Sequence, residues 1–212
     1  MKIKGKKVNF LGDSITEGIG VSAPEFKYVS VFERKFEPAL VRNYGLHGTR
    51  IARQHTPTPG LPQYDLDFCM RAEDMDNDAD IVVVFGGVND FRRGDAPLGE
   101  PTDRTPYTFW GACHTLMRLL IEKYPTATIV FMTPMHSALE DREGRPSLCE
   151  FVSIIKKTAE YYSIPVLDLY ATLGIQPQID IQREKYVPDG LHPNDLGAER
   201  IADRLGAFFE KL

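Results

Sequence analysis

The run Ile81-Val82-Val83-Val84-Phe85 constrains the fold of this chain more than any other feature. It is apolar at every position and β-branched at all but the last. A strand with one face in water alternates apolar and polar residues, so a continuous run marks a strand buried on both faces. Such strands occur in parallel sheets covered by helices on each side. Shorter apolar runs before and after it alternate with helix-spaced ones, the pattern of repeated βαβ units. The expected strands cover 7–11, 39–43, 80–86, 127–132 and 164–167. One helix is marked by Phe26, Val29, Val31, Phe32 and Phe36, a second covers 106–124, and a third runs from Pro146 to Tyr162. The last follows His192, with Asn194 as its N-cap and Asp195 in its first turn. The fold class is therefore α/β. Two stretches, 54–64 and 91–107, are rich in proline or charge, do not fit a minimal sheet, and are expected to overhang the site.

Bulk properties narrow the function. The 212 residues suit one domain spanning 1–212. A net charge of -5 argues against a nucleic-acid partner. No apolar stretch approaches the ~20 residues of a membrane span. The basic start, Met1 to Lys7, leads into the short run Val8 to Leu11, which is read as a first strand and not as a signal peptide. Cys69, Cys113 and Cys149 are scattered, which suits reduced thiols in a cytoplasmic protein. A homo-oligomer remains open.

That first strand ends at Gly12-Asp13-Ser14, which leaves a hydroxyl where open α/β sheets place their ligands. Far along the chain stands Asp189-Gly190-Leu191-His192-Pro193. An Asp and a His three residues apart fit one tight loop, with the carboxylate at the imidazole Nδ1–H and Nε2 free to face the serine. Ser14, His192 and Asp189 thus supply a nucleophile, a base and the acid that orients the base. Two further blocks follow strands: Asn43-Tyr44-Gly45-Leu46-His47-Gly48 and Gly87-Val88-Asn89-Asp90.

With these four blocks in this order, the chain resembles the GDSL, or SGNH, esterase/lipase family over nearly its whole length. Ile15 stands where the family name has Leu. The resemblance implies a flavodoxin-like three-layer α/β/α sandwich with a parallel five-stranded sheet. It also implies Ser14 as nucleophile, His192 as general base and acid, Asp189 as its orienting partner, and an oxyanion hole formed by the Ser14 and Gly48 backbone N–H groups and the Asn89 side chain. Gly45 is read as serving the turn, Asn43 as holding the loop, Asp13 as bonding loop backbone and Asp90 as supporting Asn89.

His47 and His136 are candidates for lining the pocket. Trp110 is either core or a stacking wall. His114 is assigned to the surface or to packing, and His55 has a weaker claim. No metal spacing and no phosphate loop occurs, so no cofactor or metal is expected. The function expected is hydrolysis of small acyl esters, acetyl foremost, including esters on carbohydrates. The alternatives are a lysophospholipase or acyl thioesterase, and a catalytically silent binding protein of the same fold.

Overall fold

A computed structural model describes residues 1–140 and 144–212. In chain order the elements are β1 (Lys7–Gly12), α1 (Ser14–Glu17), α2 (Tyr28–Phe36), β2 (Leu40–Gly45), α3 (Phe68–Glu73), β3 (Ile81–Phe85), α4 (Val88–Arg93), α5 (Phe109–Lys123), β4 (Thr128–Met132), α6 (Leu148–Tyr161), β5 (Val166–Leu167), α7 (Leu169–Thr172), α8 (Asp180–Tyr186) and α9 (Asp195–Lys211). Single 3₁₀ turns stand at Pro24–Phe26 and Pro62–Asp65. Five strands form one sheet in the order β2-β1-β3-β4-β5, every pair parallel. That is the flavodoxin order, whose ligand crevice lies where the chain switches direction between β1 and β3.

Alternation along the strands divides the core in two. Leu11, Val82, Val84, Ile129 and Phe131 pack with Phe68, Leu116 and Ile155 of α3, α5 and α6. Val8, Phe10, Ile81, Val83, Phe85 and Met132 pack on the opposite face with Phe32 of α2 and Ile201 and Phe209 of α9. The architecture is thus a three-layer α/β/α sandwich. All five residues of β3 are buried, as its composition required. On the α2/α9 face Phe10 meets Phe32 edge-on with centroids 5.5 Å apart. Truncating a ring buried like this costs ~3–5 kcal/mol.

Register positions the site. Gly12 pairs with Gly45 on one side and with Phe85 on the other, so β1, β2 and β3 end level. The Gly-Asp-Ser, Gly-Leu-His-Gly and Gly-Gly-Val-Asn segments therefore leave the sheet side by side. From the other direction α9 is capped by Asn194, whose side chain accepts from the Gly197 N–H at 3.1 Å and so fixes the loop before the helix.

The elements differ from the sequence reading mainly at their ends. Helix α2 starts at Tyr28, and Phe26 lies in the preceding 3₁₀ turn with 38% of its surface exposed. Strand β2 runs on to Gly45, and β5 has only two residues. Residues 91–93, expected in a loop, close α4, where the Gly94 N–H donates to the carbonyls of Asn89 and Asp90. Among the described residues no helix is long and apolar enough to cross a membrane.

Candidate active site

Ser14 is the first residue of α1, so its N–H has no intrahelical acceptor. The side chain before it, Asp13, is buried and accepts from the Ile15 N–H at 3.0 Å. Burial raises the Asp13 carboxyl to about 7 against the pull of that hydrogen bond, and the nearby Asp90 adds to the rise. Arg71, itself lowered to about 10 by burial, donates to the carbonyls of Gly12 and Tyr44 and to the Thr49 hydroxyl, tying β1, β2 and the loop after β2 together.

A hydrogen-bond relay crosses 178 residues of sequence. Ser14 Oγ lies 3.0 Å from His192 Nε2. The other ring nitrogen, Nδ1, lies 2.6 Å from Asp189 Oδ2. Asp189 Oδ1 accepts from the backbone N–H groups of Leu191 at 2.9 Å and His192 at 2.7 Å, so the acid is built into the turn it orients. Partial burial works to raise the Asp189 carboxyl, but the hydrogen bonds from the His192 backbone and ring and from Leu191 outweigh it and hold the group below the usual carboxylate range. With Nδ1–H donating to the carboxylate, Nε2 is left as an acceptor for the serine hydroxyl.

Two segments frame the space in front of Ser14. Gly48 has φ +75°, a left-handed conformation, and a Cβ there would lie 2.3 Å from the Tyr64 ring. Its N–H has no acceptor among the described residues. Gly45 is constrained differently. A Cβ there would fall 2.1 Å from the Glu17 nitrogen, so this glycine lets β2 pass close to α1. Asn43 completes that junction, donating to the Thr16 carbonyl and accepting from the Gly45 N–H, both at 2.8 Å. Asn89 donates one amide hydrogen to the Thr49 carbonyl at 3.0 Å, which leaves the second hydrogen unused.

Ser14, Gly48, Asn89 and His192 open into one cavity of about 280 Å³, completed by Glu17, Ile19, His47, Tyr64, Arg92, Arg93 and Leu191. His47 lines it as expected from sequence, and its Nδ1 lies 2.8 Å from Glu17 Oε2, which also accepts the His47 backbone N–H. Trp110 and His136, named as pocket candidates, lie elsewhere, and of the two readings of Trp110 its place is the core one. Trp110 stacks on His114, with ring centroids 6.3 Å apart, and packs against the core of that face. His136 bonds Glu140 through Nδ1 at 2.8 Å and lies over Tyr170. His114 is buried and bonds the Pro101 carbonyl, while His55 bonds the Tyr107 carbonyl.

The sequence reading did not single out Glu17, Ile19, Tyr64 or Leu191, whereas Arg92 and Arg93 belong to the charged stretch it expected near the site. Glu17 and Ile19 were findable from their place just after Ser14, and Leu191 from its place before His192. Arg92 and Arg93 stand one α4 turn after Asn89. Tyr64 closes the 54–64 stretch and does overhang the site. The stretch 94–107 contributes nothing to the lining of this cavity.

A model of the GDSL-like Lipase/Acylhydrolase family matches residues 10–200, which include Ser14, Gly48, Asn89 and His192. The chain belongs to that family. Two solved structures resemble this GDSL-like chain end to end. One is 31% identical, with 100% of this chain and 99% of that one covered and a TM-score of 0.87. The other, from Lactobacillus plantarum, is 29% identical, with 99% and 98% covered and a TM-score of 0.86. An acetyl xylan esterase shares the fold at 22% identity, with 95% and 98% covered and a TM-score of 0.63. Among curated proteins none matches the GDSL-like chain.

Proposed function

We propose that the protein is a serine esterase that removes short acyl groups, acetyl foremost, from hydroxyl-rich alcohols such as carbohydrates. The observation that carries this reading is the relay Ser14–His192–Asp189, at 3.0 and 2.6 Å, opening into a cavity that also receives the Gly48 N–H and the Asn89 amide.

Ser14 Oγ attacks the ester carbonyl carbon while its proton passes to His192 Nε2. Asp189 holds the ring and stabilises the imidazolium. The carbonyl oxygen, now an oxyanion, is received by the N–H groups of Ser14 and Gly48 and by the free hydrogen of Asn89. Collapse breaks the bond to the alcohol oxygen, which takes the proton from His192. Water, deprotonated by His192, then attacks the acyl-serine, and as the bond to Ser14 Oγ breaks His192 returns the proton to that oxygen and the acid is released. Asn suits its role because its amide donates without carrying a charge.

Short acyl groups fit a cavity of about 280 Å³, whose wall includes Glu17, Arg92 and Arg93 beside the apolar Ile19 and Leu191. A hydroxyl-bearing alcohol suits His47, whose Nδ1–H is engaged by Glu17 and whose Nε2 is thereby an acceptor. The likeness in fold to an acetyl xylan esterase points the same way. The test is a panel of nitrophenyl esters from acetyl to palmitoyl beside acetylated sugars, with wild type and Ser14→Ala. The expected profile peaks at acetyl to butyryl, falls by octanoyl and vanishes in the variant. A rise in kcat/KM up to decanoyl, following the ~0.8 kcal/mol of each buried CH₂, would favour a lysophospholipase or thioesterase instead.

A further inference from the structure

Beside the catalytic cavity lies a second one of about 360 Å³, and the two share Tyr64 and Arg93 as a common wall. Arg93 is exposed at this junction, and its guanidinium has no hydrogen bond or ion pair among the described residues. Behind it is Arg50, a buried cation on the wall of the second cavity. Arg50 reaches the Tyr64 and Arg93 carbonyls only at 3.4 Å each and lies 3.9 Å from Asp65, and its Nε is buried without a partner. A buried guanidinium this loosely satisfied is costly.

The carboxylates nearby are already engaged. Asp95, on the wall of the second cavity, accepts from the backbone N–H groups of His55 and Thr56. Asp65 accepts from the Thr58 N–H and hydroxyl. Glu17, across the catalytic cavity, is held by His47. Each of these carboxylates has partners other than Arg93, so the Arg93 guanidinium keeps its donors for a group entering the junction. A guanidinium fork matches a planar carboxylate. Thr56, Thr58 and Gln54 around the second cavity supply the polar surface on which a sugar ring can lie.

We propose that the alcohol part of the substrate bears a carboxylate, which Arg93 reads as that part passes over Tyr64 from the catalytic cavity into the neighbouring one. The substrate class is then an acylated saccharide containing a uronic acid. This rests on the esterase reading above and narrows its alcohol.

The experiment compares acetate release from acetylated glucuronic acid with release from acetylated glucuronamide, its uncharged isostere. Wild type should favour the acid in kcat/KM by about tenfold, the size of one charge-assisted hydrogen bond, mostly through KM. Raising the salt concentration should shrink that preference. In Arg93→Gln the ratio should fall to near one, and in Arg93→Lys it should be intermediate. Because Arg93 is exposed, an unchanged melting temperature will show that the variants fold. Equal rates on acid and amide in wild type, or a preference that survives in Arg93→Gln, would overturn the proposal and leave the esterase reading standing. No acetate release from either sugar, with no hydrolysis of nitrophenyl acetate, would overturn both.

Discussion

The Asn89 side-chain amide donates to the carbonyl of Thr49 across 3.0 Å, so it is anchored to the loop that carries Gly48. The next residue makes the same connection more strongly. Asp90 accepts from the Ile51 and Ala52 N–H groups at 3.0 and 2.8 Å. The two segments proposed to supply oxyanion donors, one on α4 and one after β2, are therefore fixed to each other by the fold itself.

If Asn89 serves the oxyanion, Asn89→Ala should lower kcat by roughly two to three orders of magnitude. A fluorophosphonate probe should still label Ser14 in that variant, because the relay to His192 is untouched. A change confined to KM would make Asn89 a substrate-positioning residue.

Asp189→Asn tests the relay from its far end. An amide at this position can donate to the ring and so stabilises the tautomer that blocks Nε2 from taking the serine proton. Steady-state assays should show kcat reduced by about 10²- to 10⁴-fold, with circular dichroism unchanged. Retained activity would mean that the short contact to His192 Nδ1 is structural only.

Gly48→Ala should cost both stability and activity, since its Cβ would enter the Tyr64 ring and its backbone is left-handed. Adding Tyr64→Ala removes the clash but not the backbone strain. The double variant should therefore recover part of the lost melting temperature. No recovery would assign the whole cost to the backbone.

Asp13 gives a pH dependence of definite sign. Burial raises its carboxyl to about 7 from an ordinary 3.8, and burial likewise raises Asp90 to about 6. A group that binds its proton more tightly in the folded state contributes stability fully below the unfolded value. That contribution is lost as the pH climbs through the folded one. Asp13→Asn keeps an acceptor for the Ile15 N–H and removes the titration. Its melting temperature relative to wild type should therefore rise between pH 5 and pH 8. A constant difference would show that Asp13 ionises in the fold without penalty.

What the sequence made legible follows from the strength of each local signal. The run Ile81–Phe85 left one reading, and the long helices α5, α6 and α9 repeat their apolar residues often enough to be seen. Helices α3, α7 and α8 have at most seven residues, too few turns to establish a period. The residues that meet at the relay were readable because their types and order are chemically restrictive. The cavity wall was not. Trp110 and His136 looked suitable by type, but helix phase turns Trp110 toward His114, and Glu140 holds His136. Tyr64 and Arg93 became neighbours only through tertiary packing, which no local pattern encodes.

The level ends of β1, β2 and β3 separate two kinds of change available to this chain. The groups proposed for catalysis, Ser14, Gly48 and Asn89, follow the ends of three adjacent strands whose spacing is set by the backbone ladder. Tyr64 and Arg93 sit further along the connections that follow β2 and β3. On the esterase reading, changes at Tyr64 or Arg93 would exchange one alcohol for another while the ladder keeps Ser14, Gly48 and Asn89 in step. Selection for new substrates can therefore act on these outer segments alone.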